Sequence, residues 1–571
     1  MEKIKKLKHI FRYEKIDGYI IPKNDEFFGE YLPLYNDRLN FITNFSGSFG
    51  LSIILKNQNY LFVDGRYTLQ AAKESGDYFK IVTLPNLMPY DVLKKKKYKI
   101  GYDPKLFTRK TLNIFLNKNV KLKAIKNNLI DKIWKRNSKA KVKQFYSLPK
   151  NSVGENYKLK INKVVKNLKK NNVDYQFISS SENNAWLFNI RGEDSKYSPI
   201  PHCYALIKKN KNIKFFCDLN KISFSLRKKF KNIEFCRISS VEEVLSKISK
   251  NKFVIDENTC SDYFEKIIKK NNKIINFIDP IYSFKAIKNT KEINNIKLAH
   301  FYDGSALTKY LFWIKNNFNK RRITEISASN KLFEFKKKNK MFKFPSFPTI
   351  SGTGPNGAII HYRATKKSNR VLKRGDIYLV DSGGQYEFGT TDVTRTISLK
   401  NSSKRIKNIF TRVLKGHIAV SNYKLKYNTS GSEIDIEARK FLKKIGLNYS
   451  HGTGHGVGYF LNVHEGPQAI SKNNNIRFRE GMVVSNEPGY YEKNRFGIRI
   501  ENLIYVKRKK KKFFFENLTL APIDKELIDE SILNKNEKKW LNSYHSKVYK
   551  NLKGTMNKFE IKELKKACSA I

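Results

Sequence analysis

The chain has little cysteine. Cys203, Cys217, Cys236, Cys260 and Cys568 are widely spaced, odd in number and form no Cys-x-x-Cys pair. A disulfide framework or a cysteine-based zinc knot is therefore not expected, and the thiols are predicted to be reduced and mostly buried. Long apolar runs are missing too. No stretch reaches the roughly 18 consecutive apolar residues of a membrane-spanning helix. The basic start, Met1 to Ile10, is followed by Tyr13-Glu14-Lys15 and Asp17, which interrupt any apolar run of signal-peptide length. The chain is expected to stay in the cytoplasm, away from membranes. Acidic residues are scarce: 51 Asp and Glu against 113 Lys and Arg give a net charge of +62. Such an excess can mark a nucleic-acid partner. The lysines, however, are spread along the whole chain. The short runs at Lys94–Lys97, Lys336–Lys338 and Lys507–Lys512 carry no interleaved aromatic ladder. Lys, Asn, Ile, Phe and Tyr are heavily used together, as in a biased composition. Specific nucleic-acid binding is not expected, only salt-sensitive adhesion to polyanions.

What is present is ample material for packed cores. The 571 residues are 40% apolar and 13% aromatic, enough for two to four domains of ~100–200 residues. A faint repeat runs at a period near 150 residues. Ile16-Asp17-Gly18-Tyr19-Ile20-Ile21 reads like Val173-Asp174-Tyr175-Gln176-Phe177-Ile178, and Leu39 to Gly47 like Trp186 to Gly192. Each copy continues with an apolar strand, a polar turn and a second strand ending in Asp: Leu51–Leu55 to Asp64, and Tyr204–Ile207 to Asp218. Helical stretches such as Lys158–Lys170 lie between, so two related α/β domains are predicted. A linker is expected near Leu148-Pro149-Lys150-Asn151. Asn289 and Glu292 form a capping-box pattern ahead of a helix that opens a third unit near Lys288. The expected division is 1–148, 149–287 and 288–571. Roughly Lys535 to Lys550 reads as an amphipathic packing or dimer helix.

Chemistry concentrates after Pro345. His361, His417, His451, His455 and His464 fall there, together with carboxylates embedded in apolar strands, where a charge is costly unless paired or metal-bound. One apolar strand ends in Asp381. Eleven residues later Asp392 opens a β-branched run that can pair with it and aim both carboxylates at one point. His451-Gly452-Thr453-Gly454-His455-Gly456 lets backbone approach a ligand closely. Glu487 ends another buried strand. In Gly497-Ile498-Arg499-Ile500-Glu501, the two-residue period puts Arg499 and Glu501 on one face. A surface ion pair is the alternative for those two, opposed by their apolar neighbours. Two Asp, two Glu and one His arriving on separate strands suit a pair of divalent ions such as Mn²⁺ or Co²⁺, which can activate a shared hydroxide.

The motifs DSGGQY (Asp381–Tyr386), TDVTRT (Thr391–Thr396), HGTGHGVG (His451–Gly458), VHEGP (Val463–Pro467), NEPGYY (Asn486–Tyr491) and GIRIEN (Gly497–Asn502) occur in the order that resembles the pita-bread metallopeptidases. The HGTGHGVG and HEGP forms are similar to the aminopeptidase P group. DGRY at Asp64–Tyr67 and LAPIDKELID at Leu520–Asp529 resemble its longer, three-domain form. The resemblance implies two creatinase-N-like α/β domains and an α+β pita-bread catalytic domain. It implies a homodimer and removal of the first residue from peptides with proline second. It further implies two metal ions per chain, most readily Mn²⁺. Asp381 would hold one, His455 and Glu487 the other, and Asp392 and Glu501 would bridge them, activating a shared water. Glu487 would also move the proton of that water toward the leaving proline nitrogen. His361, His451 and His464 would line the proline pocket and steady the tetrahedral intermediate. Arg499 would orient Asp392 and the bridging cluster. Prolidase is the nearest competing reading. Methionine aminopeptidase lacks the two large leading domains, creatinase lacks the ligands, and peptidase-like chromatin chaperones have lost them.

Overall fold

The computed structural model describes residues 2–94, 97–116, 120–136, 142–276 and 278–571; Lys95 and Lys96 of the Lys94–Lys97 run lie outside them. The chain forms two compact units, Met1–Tyr282 and Ser283–Ile571.

The first unit contains two six-stranded sheets. One is built from β1 (Gly18–Pro22), β2 (Leu51–Leu55), β3 (Asn59–Asp64), β4 (Lys80–Leu84), β5 (Lys99–Tyr102) and β6 (Lys121–Ala124). The other uses β7 (Tyr175–Ile178), β8 (Tyr204–Lys208), β9 (Ile213–Cys217), β10 (Glu234–Arg237), β11 (Lys252–Ile255) and β12 (Lys273–Asn276). Their orders are β4-β3-β2-β1-β5-β6 and β10-β9-β8-β7-β11-β12. In both, the first three strands form an antiparallel meander and the remaining pairings are parallel. The sequence repeat is thus a repeat of topology. One residue shows why the similarity survives at that spot. The Asp17 carboxylate accepts from Lys99 N at 2.9 Å while its own N–H donates to Lys99 O at 2.8 Å. Asp174 makes the same two bonds to Lys252, at 2.9 and 3.0 Å. In each copy an aspartate just before the first strand locks it to the fifth.

The expected linker region is packed rather than open. Lys150–Val153 forms a short helix that ends at Gly154 with φ +66°, and Leu148 N donates to Asn189 O at 2.9 Å. Cys203, Cys217 and Cys260 are buried, Cys236 and Cys568 half-buried, and all five thiols are free.

The second unit is α+β. Asn289 caps the helix Thr290–Asn317, and Glu292 closes the predicted capping box. Short antiparallel strands then form small sheets. Ile377–Ser382 pairs with Ile350–Thr353 on one side and Val393–Ser398 on the other. Asn502–Lys509 lies between Val483–Asn486 and Lys512–Asn517. The hairpin Gly489–Glu492 with Phe496–Arg499 completes the set. Apolar residues of Lys404–Ser421 and of the C-terminal helix Lys535–Leu552, among them Val413, Leu414, Leu541 and Val548, close one core. The latter helix therefore packs within its own unit. Among the described residues no helix is long and apolar enough to cross a membrane.

Candidate metal centre

The centre is assembled by the antiparallel strands of the second unit. In the pair Ile377–Ser382 with Val393–Ser398, Asp381 lies opposite Thr394 and Ser382 opposite Val393, so Asp381 and Asp392 come together at one end, as their spacing suggested. Arg499 ends one strand and Glu501 precedes the next; Ile500 and Glu501 lie between the two ladders. The two-residue period of Gly497–Glu501 reads as one strand, which the structure ends at Arg499. The break lets the chain leave the hairpin partner at Arg499 and join Val483–Asn486 at Asn502, where Asn486 is its register partner. Arg499 and Glu501 nevertheless share one face, because Thr394 Oγ1 accepts from Arg499 Nε at 3.0 Å and donates to Glu501 Oε2 at 2.7 Å. Both side chains are buried, 2% and 1% exposed, which removes the surface-pair alternative.

His455 is held from both ends. Its backbone N–H donates to Ser485 Oγ at 2.9 Å, and Ser485 Oγ donates to Glu487 Oε1 at 3.0 Å. Glycine is required beside it, since a Cβ on Gly454 would stand 1.9 Å from Ser485 O. The ring's Nδ1 lies 3.0 Å from Gly456 O, a contact that assigns the proton to Nδ1 in the neutral ring. The Nε2 lone pair then faces Asp392 Oδ2 at 3.5 Å and Glu487 Oε1 at 3.4 Å. A lone pair aimed at two carboxylates repels them unless a proton or a cation stands between. In the bare chain a proton fills that place. Burial works against the charged ring, but the Asp392 contact and the Glu487 charge outweigh it and hold the pKa at about 9.

The remaining electrostatics point the same way. Burial, only partly offset by Arg499, and the neighbouring Asp392 push Asp381 up to about 7. Burial and the charges of Asp392 and Glu487 raise Glu501 well above the carboxylate range. Burial would raise Glu487 as well, but the charge of His455 lowers it. Asp381 Oδ1 and Asp392 Oδ1 are buried and accept no hydrogen bond. One oxygen each of Asp392 and Glu501 and a nitrogen of His455 lie within 4.8 Å of one another. Four carboxylates share one guanidinium and one imidazole, so the donor set fits two hard-to-borderline divalent cations.

Around this cluster the chain supplies a brace. Arg499 donates from Nη2 to Asp381 Oδ2 at 2.6 Å and from Nη1 to Tyr491 Oη at 2.7 Å. Its carboxylate partner is therefore Asp381 and not Asp392 as the resemblance implied; reach to the bridging cluster comes through Thr394. Tyr491 Oη lies 2.9 Å from His451 Nε2, and His451 Nδ1 lies 2.8 Å from Gly452 O. Burial lowers His451 to about 4, so the ring is neutral. It accepts from Tyr491 and donates to the carbonyl, leaving both nitrogens engaged. Arg439 Nη2 fixes the same loop through His451 O at 2.6 Å. The His464 ring stands edge-on to His455, centroids 4.3 Å apart. His361 is half-buried in the turn after Gly354–Ala358, and that segment packs closely on Gly497 in the Arg499 strand. His417 lies elsewhere: buried on Lys404–Ser421, it contacts Asn486 O through Nδ1 at 3.0 Å.

Sequence reasoning singled out neither Tyr491 nor the partners of Glu465. Tyr491 lay within the quoted NEPGYY motif; its tie to His451, 40 residues away, is legible only in the fold. The carboxylate of Glu465 sits between Lys288 Nζ at 3.1 Å and Lys285 Nζ at 3.3 Å.

Residues 294–508 match metallopeptidase family M24 and 511–571 the C-terminal region of peptidase M24. Residues 3–133 and 136–292 each match the creatinase/prolidase N-terminal domain. A probable Xaa-Pro aminopeptidase P from Laccaria bicolor is 36% identical over 611 aligned positions, covering 100% of this chain and 93% of the relative. One from Coprinopsis cinerea is 34% identical, covering 95% and 93%. The crystal structure of X-prolyl aminopeptidase from Caenorhabditis elegans, described as a cytosolic enzyme with a di-nuclear active site, superposes with a TM-score of 0.94. It is 29% identical and covers 100% of this chain and 99% of the other. The chain, two creatinase-N-like domains followed by an M24 catalytic domain, therefore belongs to the Xaa-Pro aminopeptidase P family of M24 metallopeptidases.

Proposed function

We propose that this chain hydrolyses the bond between the first residue and a following proline in peptides, as a cytoplasmic homodimer with two divalent ions per chain, Mn²⁺ being the expected metal. We assign its domains to 1–148, 149–287 and 288–571. The observation that carries the reading is the buried carboxylate excess around the His455 lone pair, in a chain similar over its full length to Xaa-Pro aminopeptidases. Asp381, His455 and Glu487 would hold the ions, with Asp392 and Glu501 between them. Bound there, such ions polarise the scissile carbonyl and lower the pKa of water to the neutral range.

The chain's own groups do the rest. Glu487 takes a proton from the attacking water and delivers it to the departing proline nitrogen. That nitrogen bears no hydrogen in an Xaa-Pro bond, so the site needs no acceptor for one, only a proton source once the bond breaks. His464 donates to the developing oxyanion, and His361 and His464 line the proline pocket. His451 belongs to this catalytic set through Tyr491 and Arg499, holding Asp381 in place. Incubating the metal-loaded protein with an Xaa-Pro-Xaa tripeptide and an Xaa-Pro dipeptide tests the reading. Rapid release of the first residue from the tripeptide is expected. Cleavage confined to the dipeptide would make the chain a prolidase, and cleavage of neither would refute a proline-directed peptidase.

A further inference from the structure

Buried charge of the opposite sign lies one residue from His464. Lys285, Glu465 and Lys288 form a triad whose side chains are 0%, 1% and 0% exposed. Two ammoniums converge on one carboxylate, all three buried, an arrangement costlier to desolvate than a single pair. Its placement gives it a use. Glu465 N donates to Gly456 O at 2.8 Å, and Gly456, the residue after His455, donates to Gln468 O at 3.0 Å. A Cβ on Gly458 would stand 2.8 Å from Glu465 Oε2, so the carboxylate lies directly against the histidine-glycine loop. On the other side Lys288 N donates to Gly481 O at 3.0 Å. A Cβ on Gly481, at φ +85°, would meet Lys288 O at 2.4 Å. Gly481 leads into Val483–Asn486, the strand that delivers Glu487. The triad thus ties the loop of His455 and His464 to the strand of Glu487.

We propose that Glu465, clamped by Lys285 and Lys288, is the positioning residue that sets His464 against the reacting centre. This rests on the peptidase reading above and names a residue that acts through another. The carboxylate touches neither substrate nor metal; it fixes the backbone from which His464 projects. Displacing a group by about 1 Å can cost ~10²-fold in rate without disturbing binding.

The test is a double-mutant cycle on the metal-loaded protein, pairing Glu465→Gln with His464→Ala. Expected is a fall in kcat of about tenfold or more for Glu465→Gln, with KM and metal content unchanged. In the His464→Ala background the same change should cost less than about twofold, because the group being positioned is gone. Equal losses in both backgrounds, or loss of metal from Glu465→Gln, would overturn the proposal. Should Glu465→Gln fail to fold, Lys285→Met keeps one carboxylate facing one ammonium and is read by the same cycle. A wild-type chain that cleaves no Xaa-Pro peptide would sink the functional reading itself, whereas an active wild type with additive losses sinks only the positioning role.

Discussion

The buried acids of the first unit and the cluster around His455 in the second are handled in opposite ways. In the first, buried carboxylates find donors within the chain. Asp103 accepts from Asn128, and Asp279 accepts from Gln176 and Asn183, all at 2.8 Å. Lys23 meets Asp37 at 2.5 Å, and Arg38 meets Asp131 and Glu26 at 2.9 and 2.8 Å. Asp25 Oδ2 is an exception, buried without a donor. In the second unit Asp381, Asp392, Glu487 and Glu501 crowd one place, and two of their oxygens accept nothing. Buried acids crowded together with so few donors are costly unless a cation joins them.

The largest expected effect falls on that excess. Asp392→Asn should remove a carboxylate proposed to hold both ions and lower turnover by ~10³-fold or more, the upper scale for losing one electrostatic stabiliser; peptide kinetics on the metal-loaded variant check it. His464→Ala should keep the fold and both metals yet lose ~10²-fold in kcat. Normal kinetics would return His464 to a packing role.

Stability should respond differently in the two units. In metal-stripped protein Asp392→Asn removes a charge from a cluster that protonated His455 and a protonated Glu501 already balance, and should move the melting temperature little. Asp37→Asn removes the carboxylate that the buried Lys23 ammonium meets and should cost about 3 kcal/mol, the scale for breaking a buried pair. Thermal melts of both variants decide; a destabilised stripped Asp392→Asn would break the comparison.

The smallest effect is in acid. Burial holds Asp279 at about 6 and raises Asp103 and Asp256. Folded pKa values above the unfolded ~3.9 mean that the fold binds these protons more tightly, so their contribution grows as pH falls from about 6 to 4. His417 and His545 run the other way. Burial, helped by nearby cations, lowers both to about 3, below the unfolded ~6.5. Their contribution is complete above ~6.5 and is lost as pH falls toward 3. Between pH 7 and 4.5, amide exchange should therefore quicken in Lys404–Ser421 and Lys535–Leu552, the helices of His417 and His545, relative to the segments around Asp103, Asp256 and Asp279; the reverse order would contradict the assignment.

Much of this was legible in the residues. The alternation of Ile498, Arg499, Ile500 and Glu501 placed the charged pair on one face, and the Asp381–Asp392 spacing announced paired strands, because both depend on local period. Asn289 with Glu292 announced the long helix for the same reason. The break at Ile500–Glu501 was not legible, since it arises from two different strands competing for one partner. Nor was the choice of Asp381 by Arg499, the link from Tyr491 to His451, or the clamp on Glu465 by lysines 177 and 180 residues away. Those contacts follow from chain crossings that no short window contains.

Whether Asp381, Asp392, His455, Glu487 and Glu501 hold two ions is tested most directly by stripping the protein with a chelator, titrating Mn²⁺ back, and following bound metal and tripeptide cleavage together. The account predicts no turnover in the stripped protein and recovery that saturates at two ions per chain. Full activity in the metal-free preparation, or saturation with a single ion, would contradict it.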